Sequence, residues 1–192
     1  MTPVCVLRSG GEYGPEHVRW LARQVPGLVC LSDVPVAGVE VVPLRHGWPG
    51  WWSKLELFSG AIFGDLMFYD LDTVVIKPPP VPTETTVLRD FYYPERMGSG
   101  LMYIAQADKS RVWDAWTSDT AGHMRRAGGG GDQAFLDGLI GSAQKWQDIA
   151  PVYSYKVHCR RGVPDGAAVV CFHGKPRPWA SGGAWVPKLN EA

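Results

Sequence analysis

The chain has 192 residues with 19 basic and 19 acidic side chains, so its formal net charge at pH 7 is zero. This length suits a single domain over residues 1–192, and the neutral balance argues against a nucleic-acid partner. No apolar stretch is long enough to indicate export or a transmembrane segment, so a cytoplasmic location is expected. The four scattered cysteines lack a CxxC spacing and are expected to be reduced thiols.

Short apolar runs in the first half of the chain alternate with loop and helix signals. Strands are predicted at Pro3–Leu7, Leu28–Leu31, Val39–Leu44 and Leu66–Tyr69, and helices at about Glu16–Gln24 and Trp51–Phe58. The glycine pair in RSGGEYGPE indicates a loop after the first strand. The run KPPPVPT at Lys77–Thr83 excludes regular structure, because its prolines cannot join a ladder or a helix.

The second half continues the alternation. Strands are predicted at Thr85–Leu88, Gly100–Ala105 and Ala167–Phe172, and helices at Asp108–Ser118 and from about Asp132. The four glycines before Asp132 indicate a mobile linker, which we favour, or a close approach of the backbone to a ligand. Strands alternating with helices predict an α/β fold with a largely parallel sheet, in which ligands collect at the carboxyl ends of the strands.

Two carboxylates, Asp70 and Asp72, interrupt the apolar stretch MFYDLDTVVI. If this stretch is a strand, residues i and i+2 share one side, so both side chains face the same point. Buried like charges are costly unless a partner neutralises them, and a divalent cation is the simplest partner. The alternative is a strand that runs into an aspartate-rich turn.

Two further segments carry chemistry-bearing side chains. The segment GGDQ holds Asp132 and Gln133, and CFHGKPRPW holds His173, Lys175 and Arg177. The two aspartates with an imidazole suit Mn²⁺ or Mg²⁺, while a lysine and an arginine suit phosphate oxygens. Together these groups predict a site that stabilises a departing nucleoside diphosphate.

Five segments, in order, resemble glycosyltransferase family 8, the group that includes glycogenin and bacterial galactosyltransferases of lipooligosaccharide synthesis. They are SKLELF (Ser53–Phe58), FYDLDTVV, MGSGLMYI (Met97–Ile104), GGDQAFLD and VVCFHGKPRPW (Val169–Trp179). The resemblance implies a GT-A-type domain: an open, twisted, mostly parallel sheet with helices on both faces. It also implies metal-dependent transfer of a hexose, with retention, from a UDP-linked or similar nucleoside diphosphate sugar to an acceptor that the sequence does not identify.

The resemblance further implies roles for single residues. Tyr13, in a loop similar to one of the family, would stack on the base, and Lys54 would reach the donor sugar. Asp72 would hold the metal, and Asp70 would contact both the metal and the ribose. The other residues would surround the donor: Asp90 near the sugar, Asp132 and Gln133 beside the anomeric carbon, and Gly174, Lys175 and Arg177 at the diphosphate.

The sequence departs from the family pattern at two positions. Aligned without gaps, the family's metal-binding histidine falls on Cys171, and we predict that His173, two residues later, takes its place. A thiolate is a softer ligand than Mn²⁺ prefers. The family's sugar-contacting asparagine is Gly98, so the choice of donor sugar is expected to differ.

Two other functions remain open at this point. A haloacid dehalogenase-like, Mg²⁺-dependent phosphohydrolase would use Asp70 as nucleophile and Asp72 as general acid, because DLDTV also fits its first motif. That motif normally opens the chain, whereas here about sixty residues precede it. A non-catalytic nucleotide-sugar-binding module would explain the departures at Cys171 and Gly98, and turnover of a donor sugar would exclude it.

Overall fold

The computed structural model of the chain describes residues 1–190, and the last two residues of the predicted domain lie outside the described residues. The strands are β1 (Thr2–Leu7), β2 (Val29–Ser32), β3 (Glu40–Pro43), β4 (Leu66–Tyr69), β5 (Thr73–Val75), β6 (Thr86–Arg89), β7 (Met97–Ile104), β8 (Gln144–Lys145), β9 (Val152–Ser154) and β10 (Val169–Cys171). The α-helices are α1 (Pro15–Ala22), α2 (Gln106–Ser118), α3 (Thr120–Ala127), α4 (Gly131–Ile140), α5 (Trp146–Ile149) and α6 (Tyr155–His158). Segments Gly50–Phe58, Gly128–Gly130 and Pro178–Ala180 are 3₁₀ helices.

The main sheet has seven strands in the order β3-β2-β1-β4-β7-β6-β8. Neighbouring strands are parallel except where β7 pairs antiparallel with β4 and with β6, so the sheet is mostly parallel, as predicted. The predicted strands of this sheet all form, and β4 has the predicted bounds. Within residues 1–190, no helix has the length and apolar character needed to cross a bilayer.

A second sheet, in the order β5-β10-β9, was predicted only in part, because β10 lies within the predicted strand Ala167–Phe172. Strands β5 and β9 have only three residues each, which is too short for an apolar alternation to reveal them. Strand β5 is antiparallel to β10, and β9 is parallel to it. This small sheet connects the segment that follows β4 with the C-terminal segment, which carries several of the predicted site residues.

Helices and loops cover both faces of the main sheet, as the α/β prediction requires. Along β1 the side chains alternate between two hydrophobic clusters, with Cys5 in one and Val4 in the other. The first cluster includes the fully buried Trp20 of α1 together with residues of the second sheet. The second includes the fully buried Trp116 of α2 and residues of the 3₁₀ helix Gly50–Phe58 and of α4.

The turn between β4 and β5 corrects one prediction. Asp70 and Asp72 do not alternate along a strand, because β4 ends at Tyr69 and the chain turns to begin β5 at Thr73. The Thr73 backbone amide donates to the Asp70 carbonyl over 3.0 Å and closes this turn. The alternative of a strand that runs into an aspartate-rich turn therefore describes the backbone correctly.

The four-glycine segment lies close to a side chain of the protein itself, while the mobile linker and the approach to a ligand stay predictions. It forms a 3₁₀ turn that leads directly into α4. Gly131 has φ +60°, and a Cβ at this position would lie 2.6 Å from Nε1 of Trp51. Only glycine combines this backbone conformation with such close contact to an indole ring. The contact fixes the start of α4, where Asp132 and Gln133 follow.

Candidate active site

A cavity of about 550 Å³ lies where β1 and β4 end, within the usual size range of ligand pockets. Ten of the sequence-predicted site residues line it: Tyr13, Lys54, Asp70, Asp72, Asp90, Asp132, Gln133, His173, Gly174 and Arg177. Lys175 is exposed and does not belong to the lining. The tertiary structure thus brings together side chains that are up to about 160 residues apart in the sequence, at the sheet edge where ligands collect in such folds.

Lys54, on the 3₁₀ helix Gly50–Phe58, is the buried cation of the cavity. Its Nζ donates to Asp70 Oδ2 over 2.8 Å and lies 3.8 Å from Asp132 Oδ2. Burial alone would lower the pKa of Lys54, but the charges of Asp132 and Asp70 raise it overall. The ammonium group therefore stays protonated and neutralises part of the charge of these two carboxylates.

Asp72 accepts hydrogen bonds from two donors, which come from the loop after β1 and the segment after β10. Tyr13 Oη donates to Asp72 Oδ2 over 3.0 Å, and Nη1 of Arg177 donates to the same oxygen. Only 6% of Asp72 is exposed. Burial, followed by the charge of Asp70, raises the pKa of Asp72 to about 7. The two donors thus offset only part of the cost of burying this carboxylate.

Arg177 also forms an ion pair that sequence reasoning missed. Its Nε and Nη2 donate to the two carboxylate oxygens of Glu12 over 3.1 and 2.6 Å, a bidentate arrangement. The guanidinium group lies 4.9 Å from the centre of the Tyr13 ring. Hydrogen bonding to Glu12 raises the pKa of Arg177 further. The available signal was an acidic residue inside SGGEYG, the loop predicted to face the nucleotide.

Gln133 and Asp132 sit at the start of α4 with different partners. Gln133 Nε2 donates to Asp90 Oδ2 over 3.1 Å, which leaves the amide oxygen of Gln133 as the end available to a ligand. The other oxygen of Asp90 accepts backbone amides of Tyr92 and Tyr93. Burial raises the pKa of Asp132, opposed by the charge of Lys54.

One buried carboxylate oxygen of Asp132 is available to a ligand or an ammonium group. Its Oδ2 has no hydrogen-bond partner, since Nζ of Lys54 lies just beyond hydrogen-bond distance. An unpartnered buried acceptor beside a cavity indicates a position where a ligand hydroxyl or cation can be accommodated.

His173 is not brought into a three-residue metal site with the two aspartates. Its Nε2 is hydrogen-bonded to Ser154 Oγ at 2.6 Å, and its ring stacks on Phe91 at 5.6 Å. Cys171 is buried, and burial raises the pKa of its thiol, which disfavours the thiolate that a metal requires. Among residues 1–190, no group of three His, Cys, Asp or Glu side chains is close enough to hold a metal ion.

The carboxylate oxygens of Asp70 and Asp72 still suit a cation that is coordinated by the protein and a substrate together. Mg²⁺ is commonly held by one or two carboxylates together with substrate phosphates, without a complete protein cage. Asp70 and Asp72 provide two such carboxylates at one cavity. The lining contains five carboxylates (Glu12, Asp70, Asp72, Asp90 and Asp132) against three basic side chains (Arg8, Lys54 and Arg177). This excess of negative charge favours a divalent cation whenever a diphosphate is bound.

Gly98, where the family has an asparagine, is closely packed. A Cβ at this position would lie 3.2 Å from Cβ of Leu88, and a β-bulge between β6 and β7 lies beside it. A larger side chain would therefore require Leu88 to shift by a few tenths of an ångström. Gly98 is thus part of the local strand packing as well as of the cavity wall.

The raised pKa of Asp72 predicts a pH-dependent stability in metal-free buffer. The usual aspartate value is 3.8, so the native state holds one more proton than the unfolded state between about pH 4 and 7. The contribution of Asp72 to the free energy of unfolding is therefore fully present below pH 4 and is lost as the pH rises through 7. As the pH rises from 5 to 8, we expect the free energy of unfolding of Asp72→Asn to increase by roughly 2–4 kcal/mol relative to that of the parent protein. Urea unfolding of both proteins at each pH measures this difference, and an equal difference at both pH values would contradict it.

No family model and no curated protein matches the chain in sequence. Solved structures do resemble it: the glycosyltransferase GlyE of Streptococcus pneumoniae TIGR4 matches with a TM-score of 0.64 and 11% identity, over 95% of this chain and 56% of GlyE. An active-site glutamine-to-glutamate mutant of LgtC matches with a TM-score of 0.61 and 12% identity, over 93% of this chain and 89% of that one. The chain thus spans little more than half the length of GlyE, and at this identity the likeness establishes that it has the fold of these glycosyltransferases.

Proposed function

We propose that the chain transfers a hexose from a nucleoside diphosphate sugar, with UDP as the nucleotide, to an acceptor hydroxyl with retention at the anomeric carbon. The observation that carries this proposal is the single cavity that joins two aspartates, a buried lysine, an arginine and the Asp132–Gln133 pair. The fold that the chain shares with solved glycosyltransferases supports the same proposal.

The basic side chains are suited to the leaving diphosphate. Arg177 presents a planar guanidinium group whose remaining N–H groups can face phosphate oxygens. Gly174, with φ +80°, allows the backbone to approach the same oxygens. Asp70 and Asp72 would hold Mn²⁺ or Mg²⁺ together with the diphosphate, and the bound metal would stabilise the charge that develops on the leaving group.

The acidic and amide side chains at α4 are suited to the sugar. The hydrogen bond to Asp90 directs the amide oxygen of Gln133 away from that carboxylate, so the oxygen can stabilise an oxocarbenium-like centre. The carboxylate of Asp132, held near Lys54, would add negative charge beside the same carbon. In this proposal, Tyr13 contributes an aromatic face for the base and a hydroxyl that orients Asp72.

Thermal unfolding with nucleotides tests the proposal directly. UDP with Mn²⁺, at about one hundred times its dissociation constant, should stabilise the protein by about 2.7 kcal/mol and raise Tm by about 5–10 °C. The Mn²⁺-dependent part should be absent in Asp72→Ala and retained in Asp114→Ala, which removes an exposed carboxylate from α2.

Release of UDP from UDP-glucose or UDP-galactose then separates the candidate functions. Turnover supports the transferase, while stabilisation by UDP without any turnover would indicate a non-catalytic binding module. Absence of nucleotide binding together with hydrolysis of a phosphomonoester, lost in Asp70→Asn, would support the phosphohydrolase instead.

A further inference from the structure

Arg177 links three parts of the cavity wall through the side chains of Glu12 and Asp72. We call this arrangement the Arg177 bridge. It spans the loop after β1, the turn between β4 and β5, and the segment after β10. The Arg177 side chain is only 17% exposed and packs over the ring of Tyr13, so the bridge is a defined part of the cavity.

The bridge occupies one carboxylate oxygen of Asp72, Oδ2. Asp72 Oδ2 accepts hydrogen bonds from both Arg177 and Tyr13. A guanidinium group remains charged at any accessible pH, so it cannot make room for a cation by losing a proton. A divalent cation that coordinates this oxygen would lie against a fixed positive charge. Arg177 must therefore move away before Oδ2 of Asp72 can coordinate a cation, and a cation on the other oxygen would still lie close to the guanidinium charge.

A diphosphate offers Arg177 an alternative partner. Guanidinium groups form bidentate hydrogen bonds with phosphate oxygens as readily as with carboxylates. A diphosphate in the cavity would draw the guanidinium group from Asp72 and at the same time supply oxygens for the cation. Glu12 would keep its contact through the other edge of the guanidinium group and hold Arg177 at the cavity.

We propose that Arg177 and a divalent cation compete for Asp72, so that the cation binds weakly to the nucleotide-free protein and firmly only together with the diphosphate. This regulation rests on the proposed nucleotide-sugar site. By thermodynamic reciprocity, the diphosphate and the cation raise each other's affinity by the same factor. Removal of the bridge should raise the cation affinity of the nucleotide-free protein and reduce that factor.

Mn²⁺ titration of the nucleotide-free protein tests the competition, with free Mn²⁺ measured by its electron paramagnetic resonance signal. We expect Arg177→Gln to bind Mn²⁺ at least about tenfold more tightly than the parent protein. Lys175→Gln, which removes one charge from an exposed side chain of the same loop, should change the affinity by less than about threefold. Arg177→Lys keeps the charge but loses the planar fork, so its affinity should be intermediate.

Two outcomes of this titration would overturn the inference: equal Mn²⁺ affinity in the parent protein and Arg177→Gln, or an equal gain in Lys175→Gln and Arg177→Gln. Parallel thermal unfolding with UDP separates this failure from failure of the proposed function. Stabilisation by UDP without any effect of Mn²⁺ on parent or variants would overturn the competition and leave donor binding intact. An unchanged unfolding transition with every nucleotide would instead remove the nucleotide-sugar site on which the proposal rests.

Discussion

Replacement of Lys54 by methionine is expected to lower the free energy of unfolding by about 3–5 kcal/mol. The Lys54 ammonium group is 2.8 Å from Asp70 and 3.8 Å from Asp132, and its side chain is 12% exposed. Methionine fills a similar volume but leaves two carboxylates of the cavity without their buried cation. The loss exceeds that of a surface ion pair because the Asp132 side chain is only 7% exposed, although Asp70, at 29%, keeps partial contact with solvent. Urea unfolding of the nucleotide-free protein at pH 7 measures the change.

Two further variants distinguish this electrostatic cause from a general effect of the substitution. Lys77→Met changes an exposed lysine outside the cavity and should alter the free energy of unfolding by less than about 0.5 kcal/mol. Addition of Asp70→Asn to Lys54→Met should recover part of the loss, because removal of both partners of a buried pair costs less than removal of one. A Lys54→Met protein within about 1 kcal/mol of the parent would mean that other groups neutralise the two carboxylates.

Sequence reasoning predicted the main sheet well because its strands are encoded locally. Runs such as PVCVL and LMFY are apolar and bounded by turn residues, and they form β1 and β4. The 3₁₀ geometry of Gly50–Phe58 was not predicted, since 3₁₀ helices longer than three or four residues are uncommon. The second sheet is formed by three-residue strands that are brought together by distant parts of the chain, and no local pattern encodes such pairing.

The residues of the cavity were predicted mainly from the resemblance to glycosyltransferase family 8, and only in part from the spacing of residues along the chain. Asp70 and Asp72 do not share one side of a strand, because β4 ends at Tyr69. Strand alternation does not relate Cys171 to His173 either, because β10 ends at Cys171. Beyond the strand, His173 is positioned by its hydrogen bond to Ser154, a residue 19 positions earlier that sequence reasoning did not consider.

Contacts that depend on two loops could not be predicted from either loop alone. Glu12 and Arg177 are 165 residues apart, and each is an ordinary charged residue in its own segment. Their pairing holds Arg177 beside Asp72, so Asp70 and Asp72 have different partners. Lys54 bonds to Asp70, while Asp72 has Arg177 and a raised pKa. A symmetrical pair of metal-binding carboxylates, as the sequence suggests, is thus differentiated by tertiary contacts before any ligand binds.

Replacement of Gln133 by alanine is expected to lower kcat for release of UDP from a UDP-sugar about 10²–10³-fold, the usual cost of removing one preorganised group at a developing charge. The dissociation constant for UDP should change less than about threefold, because the diphosphate is predicted to contact Arg177, which shares no hydrogen-bond partner with Gln133. Steady-state kinetics together with the UDP-dependent shift in Tm separates the two effects.

Asp90→Asn provides the companion variant for this prediction. The carboxylate of Asp90 can only accept hydrogen bonds and therefore fixes the Gln133 amide with its nitrogen toward Asp90. An asparagine would keep its oxygen on the backbone amides of Tyr92 and Tyr93 and turn its nitrogen toward Gln133, so most molecules should present the Gln133 nitrogen, and not the oxygen, to the sugar. We expect a smaller loss in kcat, about tenfold, with an unchanged dissociation constant for UDP. If Gln133→Ala kept kcat within about threefold of the parent protein, the stabilising group would have to be Asp132, whose carboxylate is the other acceptor at the start of α4.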